Sequence, residues 1–181
     1  MNRQPTLEGE RLLLRPLRAD DWDALYAVAR DPLVWEVHPA HDRWQEAVFR
    51  AYFEDALAQG GALAVIDKSD GAMIGSSRFQ NHDPADGGSV EIGWTFLARS
   101  HWGGSYNAEM KRLMLAHALG SVERVNFIVG ENNIRSRKAM EKIGGRLDTE
   151  WTELRDMAGG PVRHVRYAID RQSFAEGPLG G

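Results

Sequence analysis

Residues 91–109, Glu91-Ile-Gly-Trp-Thr-Phe-Leu-Ala-Arg-Ser-His-Trp-Gly-Gly-Ser-Tyr-Asn-Ala-Glu109, concentrate the chemistry of this chain. An apolar run of strand character enters a glycine turn at Gly103-Gly104. Helical spacing then resumes at Tyr106, Met110, Leu113, Met114 and His117. A helix opened in this way has free backbone N–H groups and the positive end of its dipole at its start, which suits a phosphate. Gly103 and Gly104 allow close approach of the backbone to a ligand, and Ser105 and Asn107 add side-chain donors. The turn is neither a Walker A loop, since no Gly-Lys-Ser/Thr follows, nor a Gly-x-Gly-x-x-Gly fingerprint. Glu91, on the strand before the turn, is a candidate general base. An ordinary turn, a helix cap and a solvent-facing carboxylate form the competing interpretation.

A second constellation begins at Asn133-Ile-Arg-Ser136 and ends at Met140-Glu-Lys-Ile-Gly-Gly145. Its spacing places Ser136 with Ala139, Met140 and Ile143 on one helix face and Arg135, Lys138 and Glu141 elsewhere. Asn133 suits the cap of that helix, and Gly144-Gly145 its stop.

The elements that must position these groups follow from patterning. A strand over Arg11–Leu17 stops at Pro16, a helix capped by Asp20 or Asp21 carries Trp22, Leu25, Tyr26 and Ala29, and Asp31-Pro32 ends it. A loop rich in Trp and His, Leu33–His41, precedes a second helix over Arg43–Gln59, signalled by Asp42 with Gln45 as a capping box and closed by Gly60-Gly61. Strands are expected over Ala62–Asp67, Met73–Phe79 and Ser89–Leu97, with Glu91, Gly93 and Thr95 on one face of the last and Ile92, Trp94 and Phe96 on the other. Further strands are expected over Val125–Val129, Leu147–Arg155 and Val162–Ile169. The order β-α-α-β-β-β-α-β-α-β-β implies an α+β, mixed α/β domain with one sheet of about seven strands and about four helices. The whole chain, 1–181, reads as one domain with an ordered core over 7–170 and a disordered tail at 176–181.

Composition narrows the function. With 43% hydrophobic and 27% charged residues the chain has the make-up of a globular protein, and a net charge of -4 argues against a nucleic-acid binder. No Cys is present, which excludes disulfides, thiolate metal sites and thiol nucleophiles. No apolar run approaches the ~18 residues of a membrane span, and Met1–Thr6 has no signal-peptide character, so a cytoplasmic location is expected. No His, Asp and Glu set has metal-ligand spacing. Residues 1–90 hold 9 Lys+Arg against 15 Asp+Glu, and residues 91–181 hold 13 against 11. Such a split fits an anionic ligand on the second half and a cationic one near the first, or chance segregation of solvated charge.

The strand, glycine turn and helix, followed about thirty residues later by Asn-x-x-Ser and Glu-Lys-Ile-Gly, resemble the GNAT superfamily of acyl-CoA-dependent N-acyltransferases, and in particular its Rim-type ribosomal-protein N-terminal acetyltransferase branch. The resemblance spans roughly residues 7 to 170. Against the family's usual Arg/Gln-Gly-x-Gly-x-Gly/Ala turn, Gly103 fits, while Trp102, Ser105 and Asn107 depart from it.

The resemblance implies acetyl-CoA as co-substrate, with no metal. It implies pyrophosphate at Trp102, Gly103, Gly104, Ser105, Tyr106 and Asn107, pantetheine along Phe96, Leu97 and Ala98, and further CoA contacts from Asn133, Ser136, Arg137, Arg135 and Lys138. Glu91 is then the base and Asp148, or less well Glu150, a second candidate. Ser136 serves the thiolate side, because Met140 stands where many family members carry Tyr. Trp35, His38, His41, Arg78 and Glu91 are acceptor-side candidates, whereas His117 suits a satisfied core position. The implied reaction is direct transfer of acetyl to a primary amine: a protein N-terminus, a small amine, an amino acid or an antibiotic. Another donor such as succinyl-CoA, a non-catalytic acyl-CoA-binding module and a nucleotide-phosphate enzyme are the alternatives. A homodimer is compatible with the resemblance.

Overall fold

Alternation of apolar residues along the central strands sets the architecture of the computed structural model, which describes residues 1–180. Eight strands form one sheet: β1 (Leu7–Glu8), β2 (Leu12–Pro16), β3 (Ala62–Asp67), β4 (Met73–Asp83), β5 (Ser89–Leu97), β6 (Arg124–Gly130), β7 (Arg146–Met157) and β8 (Gly160–Asp170). Five α-helices join them: α1 (Trp22–Ala29), α2 (Glu46–Gln59), α3 (Tyr106–Leu119), α4 (Ile134–Lys142) and α5 (Arg171–Ala175). The mixed α+β fold is as expected, with short β1 and α5 added to the seven strands and four helices. Of the segment 176–181 expected to be disordered, residues 176–180 continue from α5 as a turn with Leu179 packed on the core, and residue 181 lies outside the described residues.

The sheet order is β1-β2-β3-β4-β5-β6-β8-β7, antiparallel throughout except for the parallel β5–β6 pair. Side chains on β3 divide between the two faces: Leu63 and Val65 join the cluster under α3 and α4, while Ala62 and Ala64 join the cluster of α1 and α2. A buried carboxylate ties α3 to the edge of the sheet, since Glu109 Oε1 accepts the backbone N–H groups of Arg11 (2.9 Å) and Leu12 (3.1 Å).

Two irregularities create the site. β5 and β6 pair only at Ser89–Arg124, Val90–Val125 and Glu91–Asn126, so the strands part beyond Glu91. In the β4–β5 ladder, Ser76 faces Phe96 but Arg78 faces Gly93, so β5 carries an extra residue there. Trp94, at φ 55°, occupies this bulge. The bulge reverses the expected alternation. Val90 and Ile92 lie in the α3-side cluster, whereas Phe96 and Trp94 lie with α1 and α2, on the same side as Glu91.

The second helix also begins later than expected. α2 starts at Glu46 with Gln45 as its cap residue and no side-chain cap, leaving Asp42 and Arg43 in the preceding turns. Asp21 does not cap α1 either; its carboxylate takes Arg15 at 2.6 Å and 2.7 Å and the Arg18 N–H at 2.8 Å.

Candidate active site

The gap between β5 and β6 opens a cavity of about 590 Å³. Its walls come from β5, β6, the first turns of α3 and α4, the tip of the β7–β8 hairpin and the loop around residues 34–43. Gly130, at the end of β6, lets that loop close in: a Cβ there would lie 2.7 Å from Pro39 Cγ.

Glu91 is 3% exposed and lines this cavity. Its oxygens are held separately, Oε1 by the Gln80 amide and Oε2 by the Asn81 amide, each at 2.8 Å. Asn126, opposite Glu91 on β6, has a buried Oδ1 with no partner among the described residues. His164 completes this side. Val165, Tyr167 and Ile169 of β8 enter the α3-side core, which turns His164 to the Glu91 face. His164 Nδ1 lies 3.0 Å from the Val162 carbonyl, an acceptor only, so the neutral ring carries its proton on Nδ1 and leaves Nε2 as a lone pair. Burial pushes the His164 pKa down.

The loop opposite is aromatic and basic. Trp35 is buried, donates its indole N–H to the Ala29 carbonyl (2.7 Å) and packs on Phe96. His38 Nδ1 accepts the Ala40 N–H (2.9 Å), which places the ring proton on Nε2. Burial, then the charges of Arg43 and Arg135, bring the His38 pKa to about 3. The Arg43 guanidinium lies over the rings of Trp94 (4.7 Å), Tyr52 (4.9 Å) and Trp35 (5.6 Å). Arg43 is the single charged side chain that residues 1–90 contribute to this cavity. The expectation that the acidic half faces the ligand from that side is therefore overturned: its carboxylates point elsewhere and one cation faces in.

At the other end, Gly103 takes φ 73° and α3 starts with Ser105 at the cap position, without a side-chain cap bond. The first turn keeps its N–H groups available. Trp102 folds back, its indole N–H donating to the Leu97 carbonyl (2.9 Å) while Arg135 stacks on its ring at 4.0 Å. One and a half turns into α3, Lys111 points under the bulge. It is 2% exposed and donates to Thr95 Oγ1 at 2.8 Å. Burial lowers its pKa to about 7.

The first turn of α4 closes the cavity. Asn133 caps the helix, its Oδ1 accepting the Ser136 N–H at 3.1 Å. Ser136 and Ala139 line the cavity beside Met140.

The structure thus brings together Trp35, His38, Glu91, Phe96, Leu97, Trp102, Gly103, Asn107, Asn133 and Ser136 around one cavity. Gly104, Ser105 and Tyr106 lie beside it on the same turn, and Ala98 follows Leu97. Six expected residues stand apart, and of these His41, Lys138 and Glu150 do not line the cavity. Asp148 is outside the cavity and bonded to Arg166 (2.6 Å and 3.1 Å), which holds its carboxyl below the usual range. Arg137 is engaged by the Tyr167 hydroxyl and the Glu131 carbonyl, both at 3.1 Å. Arg78 is buried on Asp55 at 2.9 Å, beneath Trp94. His117 is half-buried, its Nε2 2.7 Å from the Asn2 carbonyl. Sequence reasoning missed Arg43, Lys111 and His164. The signal that marks His164 is its polar place in the alternation with Val165, Tyr167 and Ile169 on β8.

The family profile of the Acetyltransferase (GNAT) domain matches residues 11–146. The chain is 28% identical over 177 residues to "Uncharacterized N-acetyltransferase p20" of Bacillus licheniformis, spanning 94% of this chain and 98% of that protein. In fold it is similar to a GCN5-related N-acetyltransferase from Brucella melitensis, with a TM-score of 0.79 and 21% identity over 98% of this chain and 82% of the other. It is likewise similar to Mycobacterium smegmatis RimJ in complex with CoA-disulfide, with a TM-score of 0.74 and 19% identity over 97% and 91%. The split sheet, the open turn ahead of α3 and the extent of the profile match converge: the chain belongs to the GNAT acetyltransferase family.

Proposed function

We propose that this protein transfers acetyl from acetyl-CoA to the nitrogen of a primary amine. The observation that carries this reading is that one cavity joins the uncapped start of α3 to the buried Glu91 through the gap between β5 and β6. The gap suits the pantetheine arm, with strand edges of Phe96 and Leu97 on one side and Ile128 and Val129 on the other. The first turn of α3 suits the pyrophosphate. The fold neighbour from Mycobacterium smegmatis was solved in complex with CoA-disulfide, which is compatible with a CoA ligand here.

The chemistry balances without a covalent enzyme intermediate. The acceptor ammonium gives a proton to Glu91, directly or through water. The amine nitrogen attacks the thioester carbon, a C–N bond forms, the C–S bond breaks, and the thiolate leaves with a hydrogen bond from Ser136 and takes up the second proton that the nitrogen sheds on becoming an amide. The amides of Gln80 and Asn81 fix the carboxylate at the start of this sequence. Thiol release with acetyl-CoA and an amine panel tests the reading. Amine-dependent release supports it; tight CoA binding with no release across the panel supports a binding module instead.

A further inference from the structure

Arg43 is a cation in the cavity without an anion. Rings of Trp94, Tyr52 and Trp35 lie against its guanidinium at 4.7, 4.9 and 5.6 Å. Ring faces attract the charge but offer no lone pair to the five N–H donors of the guanidinium. The neighbouring arginines are all engaged: Arg78 with Asp55, Arg155 with Glu153, and Arg135 with the Val34 carbonyl. Among the described residues Arg43 has no such partner; burial pulls its pKa down, against raising contributions from Tyr52 and then Asp42. Arg43 is half-buried, and a half-buried charge of this kind is stabilised when a carboxylate or its equivalent meets it.

The far wall of the cavity has the opposite character, with the Glu91 carboxylate and the free Nε2 of His164. A ligand that satisfies both walls has a positive end and a negative end. The room is limited, because the acyl arm shares the same 590 Å³ and Pro39 closes the loop against Gly130.

We infer that the acyl acceptor is a small amino acid or related aminocarboxylate, its carboxylate paired with Arg43 and its amine turned to Glu91. This rests on the acetyl-transfer reading above and names the substrate class of that site. A bidentate guanidinium–carboxylate pair fixes orientation as well as charge, so it would aim the amine at the thioester.

The test uses α-, β- and γ-amino acids together with their carboxamides, measured by calorimetric binding to the CoA-loaded protein and by thiol release with acetyl-CoA. At least one acid should exceed its amide about tenfold or more in both measurements. Arg43→Gln should lower binding and turnover of that acid about tenfold while leaving CoA affinity and the amide values in place, and Arg43→Lys should keep part of the preference. Equal binding of every acid and its amide overturns the inference, with no variant required. Turnover of peptides carrying an acidic second residue, with free amino acids inert, also overturns it. A binding preference for acids with no thiol release supports the carboxylate site and counts against the acetyl-transfer reading instead.

Discussion

Gly93 leaves the space that Glu91 fills: a Cβ on Gly93 would lie 2.9 Å from Glu91 Oε1 and 3.3 Å from the Gln80 amide nitrogen that donates to it. No real methyl group tolerates that first distance, so Gly93→Ala should displace the carboxylate while leaving the helix start of α3 untouched. The expected outcome is a fall in kcat of about 10²-fold with unchanged CoA affinity, read by steady-state kinetics and calorimetry. An unchanged kcat would separate the position of Glu91 from the reaction.

Glu91→Gln keeps the shape and removes the proposed base. It also sets an amide N–H₂ against one of the two amide donors, Gln80 or Asn81, so one of the 2.8 Å hydrogen bonds must be lost. Turnover should fall by about 10²- to 10⁴-fold, most severely at low pH where the acceptor is ammonium, with CoA binding retained. Wild-type turnover across pH would move the base role to His164 or to water. Asp148 is no longer a natural candidate, because Arg166 occupies it.

Asn133 joins the stability of α4 to the cavity. Asn133→Ala removes the oxygen that accepts the Ser136 N–H, which costs about 1 kcal/mol for a lost cap. For a chain of this size that corresponds to a Tm lower by about 2–4 °C. Because Asn133 and Ser136 both line the cavity, CoA affinity should weaken too. A lower Tm with an unchanged dissociation constant would restrict Asn133 to capping.

Lys111 makes stability depend on alkaline pH. Its folded pKa is about 7, well below the ordinary lysine value of 10.5, because burial disfavours the ammonium. The unfolded chain therefore binds the extra proton between about pH 10.5 and 7, and the native state loses stability as pH falls through that window. Lys111→Met removes the penalty. Denaturant unfolding should show the variant gaining on the wild type by several kcal/mol at pH 7 and matching it near pH 10. Parallel pH profiles for the two proteins would mean that Lys111 keeps its proton in the fold.

Local patterning revealed the elements better than their irregularities. β3 and β5 have the bounds expected from their apolar runs, and Asn133 and Gly60 act as the helix cap and stop their residue types suggest. The bulge at Trp94 left no such mark. A tryptophan at φ 55° is imposed by the β4 register and by packing on Tyr52, not by its own preference. That one extra residue moves Phe96 across the sheet and turns the expected face inside out. Arg43 was hidden for a similar reason, since a capping-box pattern absorbed it into a helix that begins three residues later. Lys111 sits at an ordinary helical position, and only the sheet above it makes its amine exceptional. The GNAT resemblance pointed to the turn, Glu91 and Ser136, which line one cavity; the charge of the opposite loop needed its tertiary arrangement.

Amine-dependent acetyl transfer in the β5–β6 cavity is decided by the identity of the product. The protein is incubated with acetyl-CoA and the amine and amino-acid panel, CoA thiol release is followed, and the products are examined by mass spectrometry. Thiol release should require an amine, yield an N-acetylated product in matching amount, and disappear with that product in Glu91→Gln. Saturable CoA binding with no amine-dependent release, or acetyl found on an acceptor oxygen instead of nitrogen, would contradict it.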